Sequence, residues 1–318
     1  MVDAIALGEL LIDFVSTESG VSLVEAPAFQ KAPGGAPANV AVGLARLGVR
    51  SGFIGKVGDE DFGHFLAQTL EQNGVDTSGL QFSDQARTML AFVSLRADGE
   101  RDFMFYRHPS ADMLLHPDEI DADYVGAAKI FHYGSISLIS EPSRGATLAA
   151  VQLARERGAL ISYDPNLRRA LWPSEEAARQ GMLEGWQFAT VAKVSHEELA
   201  FLSGQEDLTK AAKKLWHDDM RLLVVTEGPA GCRYVTAERQ GHVPGYPVKA
   251  IDTTGAGDGF VAGLLAGLLA HEAAWEDVTA LEEALRLANA VGALTTTRRG
   301  AIPALPTRDQ VSAFLSNL

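Results

Sequence analysis

Short apolar runs recur along the chain and are separated by longer stretches of helical periodicity. Residues 4–7 read as a buried strand, and residues 10–15 (L-L-I-D-F-V) as its continuation. Residues 38–47 have helical spacing, with Pro37 suited to the first turn and Gly48 as the stop. A strand over 51–57 and a helix ending at Asn73-Gly74 follow. The rhythm resumes at Lys129: strand 130–133, helix 142–157, strand 160–163, then strands at 189–194, 221–226 and 232–236. Near-continuous apolar strands alternating with helices predict a mostly parallel sheet covered by helices on both faces.

One stretch breaks the rhythm. Residues 88–95 and 102–106 are rich in β-branched and aromatic residues and flank Ala97-Asp-Gly-Glu100. Asp-Gly between such runs predicts a hairpin. Inserted among strand–helix units, it reads as a lid or a dimer arm. With no repeat, low-complexity segment or linker, residues 1–318 read as one domain, with lid segments at about 10–32 and 85–107 inserted.

Residues 251–271 carry the strongest chemical signal. Asp252 to Gly259 (D-T-T-G-A-G-D-G) is polar with three glycines, and residues 260–269 read as a buried helix. A glycine loop leading into a helix N-terminus presents unpaired N–H groups where the macrodipole favours negative charge, which suits phosphate. Gly255, Ala256 and Gly257 are the candidate donors. Asp258 reads either as an N-cap or as a general base for a hydroxyl attacking that phosphate. No P-loop string occurs: after Lys56 stands Val57. The dinucleotide fingerprint also fails, because Phe260 replaces the third glycine, which counts against a dehydrogenase.

Other candidates are more local. Asp13, a carboxylate inside an apolar run, is either a water-facing strand-end residue or an acceptor for adjacent sugar hydroxyls. Gly34, Gly35 and Asn39 stand at a helix N-terminus whose donors suit neutral hydroxyls. Arg107, beside an aromatic cluster, could hold a hydroxyl or phosphate with its fork of donors, or stack on Tyr106 at the surface. Asp164-Pro-Asn-Leu-Arg168 follows a strand, so Asn166 and Arg168 could reach phosphate oxygens, although Asp-Pro-Asn is also an ordinary turn. Small residues around Asn289 and Gly292 could admit a flat purine or serve close packing against the helix of Gly263 and Gly267.

The net charge of −14 excludes nucleic acid and anionic membrane surfaces as the expected partners. A single cysteine, Cys232, the absence of a basic leader at the first residues, and no apolar run of spanning length point to a cytoplasmic protein.

The complete D-T-x-G-A-G-D string at residues 252–258 resembles the signature of the ribokinase and fructokinase family of sugar kinases. The string Gly34-Gly-Ala-Pro-Ala-Asn-Val-Ala41 is similar to that family's first signature, and F-Y-R-x-P-S-A-D-M over 105–113 resembles its fructokinase branch. The resemblance runs through nearly the whole chain. It implies a ribokinase-like α/β fold with a small β-sheet lid, and a phosphotransferase using ATP and Mg²⁺, with K⁺ as a further cation. Sugar contacts are implied at Asp13, Gly35 and Asn39, and the base role at Asp258. The family's K-x-N-x-x-E pattern falls on Lys193, Ser195 and Glu198. It implies that Glu198 organises Mg²⁺ through water, while serine replaces the family's asparagine. Thr226, Gly228 and Gly231 match its nucleotide-covering T-x-G-x-x-G. Asp252, Thr254 and Gly300 fall where it binds a monovalent cation. The expectation is a kinase acting on D-fructose, with 2-keto-3-deoxygluconate kinase next and ribokinase or nucleoside kinases behind, and a homodimer formed through the lid. A non-catalytic sensor would not need the carboxylate of Asp258 beside a phosphate.

Overall fold

The computed structural model describes residues 2–95, 101–271 and 274–317. Among the described residues thirteen strands fall into two sheets. The larger contains β1 (Ala4–Leu7), β4 (Ser51–Gly58), β5 (Asp76–Ser83), β8 (Ile130–Gly134), β9 (Leu160–Asp164), β10 (Val191–Ser195), β11 (Leu222–Thr226), β12 (Gly231–Val235) and β13 (Gln240–Pro244). Their order is β13-β12-β11-β10-β9-β8-β1-β4-β5. All neighbours from β11 to β5 are parallel, and the pairings of β12 with β11 and with β13 at one edge are antiparallel.

The apolar runs follow from burial on both faces. Ile5, Leu7, Phe131, Tyr133, Ile161 and Tyr163 point into one core, and Ala4, Ile130, Val191, Leu222 and Val224 into another across the sheet. The first core is closed by the helices Ser143–Glu156 and Glu175–Trp186, the second by Ala256–Ala270 and Val278–Thr295. Strand order reverses between β1 and β8, and beyond the carboxyl ends at such a switch point doubly wound sheets place their ligands.

The smaller sheet contains β2 (Leu11–Ser16), β3 (Phe29–Gly34), β6 (Leu90–Leu95) and β7 (Arg101–Tyr106) in the order β3-β2-β6-β7. The expectation that residues 10–15 continue the first strand is corrected here. The chain leaves the large sheet after Leu7 and enters the small one at Leu11. Gly8 makes that step at φ 155°, against Pro37. β6 and β7 pair antiparallel as a hairpin requires, while the Ala97-Asp-Gly-Glu100 turn lies outside the described residues. The strands β3, β5 and β13 have no counterpart in the apolar pattern. All three are sheet edges with polar, glycine- or proline-bearing sequences, which the pattern of buried strands does not reveal.

Candidate functional site

The 256–270 helix begins four residues before the apolar run, at Ala256, with Gly255 as N-cap at φ 75°. A side chain at Gly255 would run into Ala301, so conformation and space both require glycine there. No side chain caps this helix. Among the described residues the N–H groups of Gly255, Gly257 and Asp258 have no acceptor, whereas Ala256 donates to the Thr253 carbonyl at 3.2 Å. The expected trio of donors is therefore corrected at one position: Ala256 is engaged by its own loop.

Asp258 lies in the first helical turn, 9% exposed. Its Oδ2 accepts from Asn39 Nδ2 at 2.7 Å. It does not cap the helix, which removes the bland reading of this residue. Burial pushes its carboxyl up to about 6. The Asn39 hydrogen bond and the cations Lys193 and Arg168 oppose that rise, and Asp164 adds to it.

Asn39 stands near the start of the helix Ala36–Arg46. Its Oδ1 is buried and has no hydrogen-bond partner among the described residues, so one end of the amide holds Asp258 and the other awaits a donor. The turn into this helix uses Gly35 at φ 112°, where a Cβ would strike the Glu9 carbonyl. A Cβ on Gly34 would strike Asp13 Oδ2. Asp13, on β2, thus lies directly over the glycine turn that carries Asn39, and these candidates gather at one place.

At the end of β9, Asp164 Oδ2 pairs with Lys193 Nζ at 3.0 Å, both buried. Burial works to lower the Lys193 ammonium, but the carboxylates of Asp164 and Glu198 outweigh it and hold the group above its ordinary value. Lys193 Nζ is 3.1 Å from where a Cβ on Gly257 would stand, so a fixed cation adjoins the helix N-terminus. Asn166, at φ 47°, turns its N–H to Asp164 Oδ1 at 3.2 Å. Arg168, half-buried, is close enough to influence Asp258.

Ser195 and Glu198 form a capping box on the helix His196–Ser203. Ser195 Oγ accepts from Glu198 N at 3.1 Å, and Glu198 Oε2 from Ser195 N at 2.8 Å. Glu198 Oε1 also accepts from Leu167 N at 2.7 Å, tying this helix to the Asp164–Arg168 loop. Asp252 is a second bridge. Its Oδ1 takes the N–H and hydroxyl of Thr254 at 2.9 and 2.7 Å, and its Oδ2 takes Gly300 N at 2.9 Å. Among the described residues no three His, Cys, Asp or Glu side chains gather as a metal cage.

Three candidates have other work. Arg107 is neither a surface arginine nor an open fork. It is 2% exposed, with Nε donating to Asp112 Oδ2 at 2.9 Å and Nη2 to the Ile136 carbonyl at 3.1 Å. Asn289 Nδ2 donates to the carbonyls of Val243 and Pro244, each at 3.1 Å. Gly292 packs on Ala256 O and Phe260, as Gly263 and Gly267 pack on Ala288 and Ala284, so the small residues here join two helices. On the edge hairpin, Thr226 donates to the Val194 carbonyl and Gly231 needs its φ of 102° beside Val243. Gly228, at φ 57°, has open space around it.

Two residues escaped the sequence reading. Glu9, 3% exposed, accepts from Ala36 N at 2.9 Å. Burial pushes its carboxyl up to about 7, with Asp112 raising it and Arg107 lowering it. A charge inside the apolar run around it was the available signal. Asp112 is the partner of Arg107, only five positions further along the chain.

Comparison with known proteins agrees with this geometry. The model of the pfkB family of carbohydrate kinases matches residues 1–308. Probable fructokinase-4 of Arabidopsis thaliana is 58% identical over 312 residues, 98% of this chain and 96% of that one. A crystal structure of fructokinase with bound ATP from Xylella fastidiosa superposes with TM-score 0.91 at 35% identity, covering 99% of this chain and 98% of its own. Fructokinase from Vibrio cholerae O395, in a form with fructose, ADP and calcium ion bound, gives TM-score 0.89 at 38% identity, with 99% of each chain covered. A glycine loop with an uncapped helix start, a buried carboxylate held by the glycine-turn asparagine, and a family match over nearly all of the sequence lead to one conclusion: the chain belongs to the pfkB family of carbohydrate kinases.

Proposed function

We infer that this protein is an ATP-dependent fructokinase that phosphorylates a primary hydroxyl of D-fructose, giving fructose 6-phosphate. The observation that carries the reading is Asp258: a buried carboxyl, pushed up to about 6, at an uncapped helix N-terminus. A carboxylate beside a phosphate site is costly unless it accepts a proton there. Asp258 takes the proton of the attacking hydroxyl. The N–H groups of Gly255 and Gly257, with Lys193 beside them, face the charge that develops on the transferred group. Asp13, the Gly34-Gly35 turn and the Asn39 carbonyl oxygen bind the sugar hydroxyls. Asn166 and Arg168 border the phosphate path. Thr226, Gly228 and Gly231 border the nucleotide, while Asn289 and Gly292 support its cleft by packing.

The residues fit Mg²⁺ as a companion of the nucleotide. With no acidic cage among the described residues, Glu198 would meet it through water, its two oxygens anchored by backbone N–H groups. When bound, Mg²⁺ neutralises charge on the transferring phosphates. Asp252, Thr254 and the Gly300 loop would hold K⁺. The small sheet acts as a lid that keeps water from the reacting groups, within a single kinase domain. Its outer aromatic face is the proposed contact of a homodimer. A cytoplasmic location agrees with the lone buried cysteine, and no described helix is long and apolar enough to cross a membrane.

A coupled ADP-release assay across fructose, ribose, 2-keto-3-deoxygluconate and adenosine tests the reading. Fructose should give the highest kcat/KM. A clear preference for any other acceptor overturns the substrate.

A further inference from the structure

We propose that Asp164 is a positioning residue for phosphoryl transfer. Its carboxylate fixes the Lys193 ammonium beside the first turn of the 256–270 helix, where the cation acts on the group in transfer rather than on the resting nucleotide. This deepens the kinase reading of the site and rests on it.

The pair follows from the register of two parallel strands. Val191 lies opposite Ser162 and Ala192 opposite Tyr163, so Lys193 and Asp164, each one residue further on, stand side by side on one face of the sheet. Val191, on that same face, packs into the core closed by the 256–270 helix, which directs the pair towards that helix. Asp164 Oδ2 accepts from Lys193 Nζ at 3.0 Å, while Asp164 Oδ1 accepts from Asn166 N at 3.2 Å, so both carboxylate oxygens are held. The ammonium has two further N–H bonds, and neither finds an acceptor among the described residues. Its nitrogen ends 3.1 Å from the place a Cβ on Gly257 would take, beside a backbone N–H that is itself unpaired among the described residues.

A lysine stem is flexible, and a buried ammonium without a partner sheds its proton or seeks water. Burial presses Lys193 that way, and the carboxylate of Asp164, with that of Glu198, reverses the pressure. Arg168, another cation bordering the cleft, is half-buried and donates to the carbonyl of its own neighbour Leu167 at 3.2 Å. One cation can adjust to the nucleotide; the other is already in place when it arrives. A charge fixed in advance needs no reorganisation as charge develops on the transferred group, so its effect falls on kcat.

The experiment measures kcat with fructose, the ATP KM and the affinity for a non-hydrolysable ATP analogue. The proteins are the wild type, Lys193→Met, Asp164→Asn, the double variant and Asp164→Glu. Lys193→Met should lower kcat about 10²–10³-fold, the scale of one lost charge-stabilising donor. Asp164→Asn should lower it about 10–100-fold, with the ATP KM and analogue affinity within about threefold of the wild type. Because Asp164 acts through the ammonium, the double variant should be no slower than Lys193→Met. A wild-type kcat in Asp164→Asn overturns the proposal, and so does a double variant whose loss is the product of the two single losses. A loss confined to nucleotide affinity overturns it as well. Should Asp164→Asn not fold, because a buried charge has lost its partner, Asp164→Glu keeps the pair and displaces the ammonium. That variant should lose about tenfold in kcat, the scale of a small misplacement, and an unchanged kcat there overturns the proposal equally. A wild type that releases no ADP with any sugar refutes the kinase reading of the site instead, so the two failures are distinguishable.

Discussion

Asn39 Nδ2 lies 2.7 Å from Asp258 Oδ2, across 219 positions of sequence. One amide thereby joins the turn assigned to the sugar to the carboxylate assigned to the proton. Its free Oδ1 offers the acceptor that a sugar hydroxyl needs. In the proposed reaction, seating the acceptor and aiming the base become one geometric event.

Asp258→Asn should keep the fold and lower kcat by roughly 10²–10⁴-fold, the scale of a lost general base. In the wild type the base works ionised, so kcat/KM for the sugar should fall as pH drops through about 6. Asn39 favours the charged form of Asp258. Asn39→Ala should therefore move that acid limb to higher pH, by about one unit for a lost charge-assisted bond. Stopped-time assays from pH 5 to 8 would read this, and an unmoved limb would detach Asn39 from the base.

Asp13→Ala should raise the fructose KM or lower kcat/KM about 10–100-fold, the scale of an unsatisfied buried polar partner. The ATP KM should stay nearly constant, because Asp13 lies over the Gly34 turn assigned to the sugar. Equal losses for both substrates would show a general collapse of the small sheet.

Replacing Na⁺ or choline by K⁺ at constant ionic strength should increase activity, because Asp252 joins the glycine loop to the Gly300 loop around the proposed cation. Asp252→Ala should remove the K⁺ response. Indifference of the wild type to the exchange would leave Asp252 a purely structural bridge.

Ser195→Ala and Glu198→Gln separate a cap from a cation relay. Loss of the Ser195 cap should cost about 1 kcal/mol of stability, measured by denaturant unfolding. It should change the Mg²⁺ requirement little. Glu198→Gln keeps an acceptor for Leu167 N–H but removes the charge, so it should raise the Mg²⁺ concentration needed for half-maximal rate. An unchanged Mg²⁺ dependence would confine Glu198 to positioning the loop.

The homodimer proposed above would rest on the outer face of the small sheet. There Phe92 stacks on Phe14 at 5.0 Å and meets Phe29 and Tyr106 edge-on, while Met104 and Tyr106 are 43% and 56% exposed. Such a patch marks an interface more often than free surface. Sedimentation velocity should find a dimer in the wild type and a monomer after Met104→Glu with Tyr106→Glu. A monomeric wild type would refute the contact.

Much of this molecule is written in local sequence. Uninterrupted apolar strands such as 222–226 require cover on both faces, and so announce a parallel sheet between helices. The glycines and Asp258 of the 252–258 string suggest a glycine loop at a helix start with a carboxylate in it, because loop conformation and helix start are set first by neighbouring residues. Tertiary structure decided the rest. The edge strands β3, β5 and β13 owe their pairing to a partner already in place. Whether residues 10–15 prolonged the first strand or entered a second sheet depended on what lay beside them. Arg107 and Asp258 show the same limit at the site. A guanidinium can serve substrate or protein, and a carboxylate can cap a helix or accept a proton. The choice is made when burial strips away water and leaves each group only the partners brought within reach: Asp112 for Arg107, and Asn39, from the far end of the chain, for Asp258.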